Sequence, residues 1–220
     1  LTYTGSSQTL MLHGVGVTYS NNSRTAAGSQ TVTVNADSNH AFVGGSTSTT
    51  VSCSIGKKAA TITAPSCTIE YDGASHTCGG ASSCTVTGLV GSDSPSLSCG
   101  TTTKTAMGSY TVTAGGSISD NYSITYSNGT MTIRDTTSPL CSIVAASGTS
   151  SSSLTVAINC SDNSNNYTCG FDSYTGPTTK TLTDTKTVTG YIKDSSGNTN
   201  SCSKKFTRTN RRGRKESCRR

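Results

Sequence analysis

The sequence predicts an all-β chain, built as tandem small β-sandwich or Ig-like domains that are elongated and stapled by disulfides. Three observations predict it. Apolar and polar residues alternate with period two in many short runs, the signature of half-buried strands. Large apolar side chains are scarce, at 31% hydrophobic and 5% aromatic with no Trp in 220 residues, against about 45–50% apolar in ordinary domains. Ten cysteines accompany this thin core. One 220-residue core is therefore not expected, whereas several small stapled domains are.

The strand expectations follow the chain. Thr31-Val32-Thr33-Val34, Thr61-Ile62-Thr63, Thr85-Val86-Thr87 and Tyr110-Thr111-Val112-Thr113 alternate cleanly. Their flanks are Gly, Ser, Asn and Asp, which tolerate turn geometry. No window holds apolar residues at i, i+3, i+4 and i+7 long enough for a helix. No apolar run approaches the ~20 residues a membrane-spanning helix needs.

An internal repeat organises the first part. Tyr3-Thr4-Gly5-Ser6-Ser7 returns as Tyr71-Asp72-Gly73-Ala74-Ser75, and Ala27-Gly28-Ser29-Gln30-Thr31-Val32-Thr33-Val34 as Met107-Gly108-Ser109-Tyr110-Thr111-Val112-Thr113-Ala114. The second spacing is longer, which places an insertion between Cys78 and Cys99. Asn39-His40-Ala41-Phe42 matches Asn121-Tyr122-Ser123-Ile124, and the copies close on Thr50–Ile55 and Gly129–Ile133. After Arg134-Asp135-Thr136-Thr137-Ser138-Pro139 comes a segment without this block. Its strand candidates are Ser142–Ala145, Leu154–Ile158, Thr179–Leu182, Lys186–Ile192 and a last one near Cys202, the final two joined by the turn Asp194-Ser195-Ser196-Gly197-Asn198. The expected domains are residues 1–64, 65–134 and 135–207, with 208–220 as a basic tail or linker.

These blocks resemble the MBG-type repeats of large bacterial surface proteins, which open on Tyr-x-Gly and carry an Ala-Gly-x-Tyr-x-Val block. Gln30 departs from the usual Tyr. The third segment resembles bacterial Ig-like modules that follow an Asp-Thr-Thr-x-Pro linker and carry an Asp-x-x-Gly-Asn turn. The resemblance implies an extended extracellular stalk or adhesin and brings no enzymatic site with it.

Charge narrows the partners. The net charge is +6, but from Lys204 onward nine basic residues face Glu216 alone, so the body before them is slightly acidic. It lacks the basic face that nucleic acid requires, and no aromatic residue interleaves the tail arginines for base stacking. No nucleic-acid partner is expected. Leu1 is read as the start of a mature chain or of an internal fragment.

The cysteine framework places the chain outside the cell. Cys141 and Cys160 flank the Gly148–Ser153 turn symmetrically, which suggests a pair, with Cys169 and Cys202 then closing the third domain. Cys67, Cys78, Cys84 and Cys99 form an even set of open connectivity. Cys53 and Cys218 are left over. No paired C-x₂₋₄-C knuckle is present, and His13, His40 and His76 lie in polar turns, so no zinc site is expected.

Chemistry is sparse. The eleven acidic residues form no paired-carboxylate motif and no EF-hand loop. Asp162 and Asp194 are read as turn-stabilising residues, with calcium at a domain end as the alternative. Neither a Gly-x-Ser-x-Gly elbow nor a phosphate loop exists. Glu70 beside Lys57, Lys58 or Lys104 is the one constellation for an intramolecular isopeptide bond, against a plainly solvated carboxylate. Sequons begin at Asn21, Asn121, Asn128, Asn159 and Asn166. No enzyme, cofactor or metal is expected. The expected function is a structural segment of a bacterial surface protein that spaces or presents a binding region. The alternatives are a module binding a host glycan or protein through Tyr122, Tyr126, Tyr167 and Tyr174, or a subunit or decoration domain of a filament or phage particle that contacts copies of itself.

Overall fold

The computed structural model describes residues 1–146 and 153–207. Residues 148–152 of the Gly148–Ser153 turn, the tail from Arg208 and Cys218 lie outside the described residues. The chain is all-β: twenty-one short strands and one 3-10 turn, Ala81–Ser83, make up the described elements. Alternation in the sequence becomes alternation in burial. Val32 and Val34 point inward from Gly28–Ala36, Ala60 and Ile62 from Lys58–Thr63, and Met131 and Ile133 from Gly129–Arg134. Successive side chains of a strand face opposite sides, so a period-two sequence can cover only one face of a sheet.

The internal repeat is a repeat of register. In the first copy Gln8 pairs with Arg24 and Val17 with Ala36. In the second, His76 pairs with Lys104 and Leu97 with Gly116. Each pair lies at the offsets at which the sequence blocks align. The opening glycines match as well, with φ of 80° at Gly5 and 79° at Gly73. That left-handed region favours glycine. Just before them the Tyr3 amide donates to the Gly56 carbonyl and the Tyr71 amide to that of Arg134, both at 2.9 Å. The insertion holds the 3-10 turn and the strand Thr85–Thr87, which adds to Lys58–Thr63. Tyr122–Ser127 runs parallel to the other edge of Lys58–Thr63. Its counterpart Asn39–Phe42 forms no strand.

The chain divides into two compact units. The first comprises Leu1–Thr68, His76–Lys104 and Ser109–Thr132, and the second Ile69–Ser75, Thr105–Gly108 and the chain from Ile133. In the first, Tyr3, Ile55, Ala60 and Tyr122 form a core with Leu10, Leu89, Val90 and Ile124 packed against it. Two disulfides, Cys67–Cys78 and Cys84–Cys99, staple it. Cys53 is the one free cysteine among the described residues.

The second unit is a sandwich of two three-stranded sheets. One holds Leu140–Ala145, Leu154–Ser161 and Thr179–Leu182 in that order, the other Tyr167–Phe171, Lys186–Asp194 and Thr199–Phe206. Tyr167–Phe171, unread in the sequence, is a strand. Ile143, Val156, Ile158, Phe171, Leu182 and Val188 fill the space between the sheets.

The expected disulfide pairing here is corrected. Cys141 and Cys160 do face each other across neighbouring strands, but Cys141 bonds Cys202 and Cys160 bonds Cys169. Facing residues on one sheet share a side, so both sulfurs turn into the core and meet the cysteines of the opposite sheet. Gly190 pairs with Cys202, and a side chain there would collide with Ile158 and crowd the Cys202 sulfur.

Candidate metal centre

The second unit gathers three carboxylates. Oxygens of Asp135, Asp162 and Asp194 all lie within 4.8 Å of one another. Strand periodicity brings two of them inward. Asp194 continues the inward series Val188, Gly190, Ile192 of its strand, and Asp135 continues Gly129, Met131, Ile133 one step past the end of theirs. Asp194 is 4% and Asp135 5% exposed. Asp162 opens the turn after Leu154–Ser161 and is half-buried.

Each carboxylate has a structural job that leaves capacity over. Asp135 Oδ1 accepts from the Thr137 amide at 3.1 Å and from Asn163 Nδ2 at 3.2 Å. Asp162 Oδ2 accepts from the Ser164 amide at 3.0 Å and from its hydroxyl. Asp194 accepts from the Asn198 amide and side-chain nitrogen, both at 2.8 Å. The remaining oxygens, Asp135 Oδ2 and Asp162 Oδ1, are buried without a partner, and so is Asn163 Oδ1. Asn163 Nδ2 also donates to the Tyr71 carbonyl at 2.7 Å, and Asn198 Nδ2 to that of Asp135 at 3.1 Å. Among the described residues none of the three aspartates is in an ion pair.

The turn roles read for Asp162 and Asp194 are thus present, and the structure joins them to each other. Asp135 was missed. Its signal was its place two residues beyond Ile133 on an alternating strand.

The other singled-out residues are not members of this cluster, although Glu70 shares the Thr137 amide with Asp135 and Tyr167 pairs with Asp194. Glu70 is exposed and accepts from the amides and hydroxyls of both Thr136 and Thr137, at 2.6–3.0 Å. The Thr136 bonds, ahead of those from Thr137, hold its carboxyl at about 2. It serves as a cap on the Thr136-Thr137 segment. Of the four tyrosines expected on a binding surface, Tyr122 is 3% exposed, a core residue of the first unit. Its hydroxyl is used internally, donating to Asp93 Oδ2 at 2.6 Å and accepting from the Val90 amide at 3.0 Å. Tyr126, also in the first unit, is half exposed with its hydroxyl on the Gly116 carbonyl. In the second unit, Tyr167 bonds the Cys160 carbonyl and Tyr174 packs edge-on against Tyr191.

Comparison with known proteins bears on the first unit most. The family model of the MBG domain (YGX type) matches residues 67–132, the stretch that holds most of the second copy of the repeated ladder. No curated protein matches the chain. Residues 67–132 are therefore similar to MBG modules of the YGX type.

Proposed function

We propose that the chain is a non-enzymatic structural segment of an extracellular bacterial surface protein, a spacer that presents a binding region carried elsewhere in that protein. The observation that carries this reading is the MBG match on residues 67–132, which falls on one of two copies of the same ladder. Small cores and four disulfides among the described residues, two in residues 67–99 and two in the second unit, suit an oxidising exterior, where staples replace apolar burial. The residues 135–207 belong to the same reading as an Ig-like module, supported by two three-stranded sheets locked face to face.

A swap separates a spacer from a binding module. In the parent protein on the cell surface, an unrelated tandem of β-sandwiches of equal length replaces this segment, and adhesion of the cells is measured. A spacer predicts unchanged adhesion after the swap and a loss after deletion. Loss of adhesion after the swap overturns the reading in favour of a binding module.

A further inference from the structure

We propose that Asp135, Asp162 and Asp194 bind a calcium ion, with the side-chain oxygen of Asn163 as a fourth protein ligand. The inference goes beyond the spacer reading and does not depend on it. Three carboxylates in mutual reach repel one another, and burial of two of them removes the water that would screen the repulsion. No cationic side chain compensates among the described residues. An Asx turn needs one oxygen from each carboxylate, and Asp162 supplies that through Oδ2 while its Oδ1 stays buried and bare. The same holds for Asp135, 5% exposed with Oδ2 unpartnered. Asn163 points both its amide hydrogens at protein acceptors, the Tyr71 carbonyl and Asp135 Oδ1, which leaves its oxygen as a free donor of electrons beside the cluster. A buried polar atom without a partner is destabilising, and three such atoms belong to this cluster and to the Asn163 side chain bonded to it.

The donor set selects the ion. All candidate ligands are oxygens, which excludes the nitrogen and sulfur preference of zinc. Calcium takes 6–8 oxygens at about 2.3–2.6 Å, so ligands on opposite sides of one ion stand about 4.8 Å apart. One oxygen from each of the three carboxylates lies within that span of the other two. Magnesium demands a tighter octahedron and keeps several waters, which a site with buried aspartates serves poorly. The ligands come from three stretches far apart in sequence, so an ion ties the Asp135 segment to the turns at Asp162 and Asp194 within the second unit.

The test uses the whole chain, stripped with a chelator and dialysed. Calcium chloride is titrated in by calorimetry, thermal unfolding is followed in parallel, and magnesium chloride is the comparison. Asp135→Asn keeps the shape and the hydrogen-bond acceptor of the side chain. Asp162→Asn does the same at a half-buried position, so a result survives if the first variant fails to fold. The expected result is one calcium per chain, a Tm that rises with calcium concentration, and at least about a tenfold weaker response in either variant and to magnesium. No heat and no Tm change up to about 10 mM calcium, well above the range of extracellular calcium modules, overturns the proposal. So does a variant that responds like the wild type, or an equal response to magnesium.

Discussion

The first unit turns on one acidic side chain. Asp93 Oδ2 accepts from the Tyr3 hydroxyl at 2.9 Å and from that of Tyr122 at 2.6 Å, and the two rings meet edge to face with centroids 5.5 Å apart. Tyr3 opens the first copy, Tyr122 belongs to the second, and Asp93 comes from the insertion between Cys78 and Cys99. Tyr122→Phe keeps the ring in its packing but removes one of the two hydroxyls on the Asp93 carboxylate and leaves the Val90 amide without its partner. Hydrogen bonds to charged groups contribute more than neutral ones, so the variant is expected to lose about 2 kcal/mol, read as a lower urea midpoint with an unchanged slope. The sequence offered Tyr122 for a binding surface because tyrosine combines a large contact area with a polar tip, and such a side chain suits either a wet or a dry site. Only its bond to Asp93, 29 residues away in the chain, puts it inside. Asp194 was read only as a turn residue and Asp135 was missed, although both prolong alternating strands inward.

At the scale of elements, strands and their repeat were readable and the cross-links were not. Thr85–Thr87 and Thr179–Leu182 appear with the bounds their alternation gives, and Gly28–Ala36 and Gly129–Arg134 extend theirs by a few residues. The pairing of Cys141 and Cys160 failed because spacing about a turn reveals which residues are neighbours on a sheet, not which sulfurs point at each other across a core. The true bridges differ in loop length, with sequence separations of 61 for Cys141–Cys202 and 9 for Cys160–Cys169. In the chain-entropy account the longer loop is worth about 4 kcal/mol and the shorter about 3. The double variant Cys141→Ala/Cys202→Ala is thus expected to have the lower thermal midpoint of the two double variants. Equal midpoints would show that the staples act through native packing. A second element-level prediction concerns Gly129. A Cβ there lands on the Pro65 carbonyl oxygen, a backbone atom that cannot swing away. Gly129→Ala is expected to cost about 3 kcal/mol, as overpacking does, again seen in the urea midpoint.

Across the whole molecule, Glu70 in the second unit sets an acid limit and the tyrosine pair in the first an alkaline one. In the second, four bonds from Thr136 and Thr137 hold the Glu70 carboxyl at about 2, below its usual 4.5. A carboxyl with a lowered folded value adds stability that is full above its unfolded value and is lost as pH falls from about 4.5 through about 2. In the first, the Asp93 hydrogen bond raises the Tyr3 phenol above its usual 10.0, and burial together with that same carboxylate raises Tyr122. A phenol with a raised folded value adds stability that is full below 10 and is lost as pH climbs through the folded value. Urea midpoints measured from pH 2 to pH 11 are therefore expected to form a plateau with an acid limb and an alkaline limb. Glu70→Gln, less stable at neutral pH for want of a charged acceptor, flattens the acid limb and leaves the alkaline one. Tyr122→Phe does the reverse. Limited proteolysis at each limb assigns the weakening, with alkaline cuts in the first unit and acid cuts both in the second and at the Asp37 turn of the first, whose carboxyl the His40 hydrogen bond also lowers. Either variant acting on both limbs would mean that the carboxylate cap and the tyrosine pair are coupled through the chain, so that the two units do not answer to pH separately.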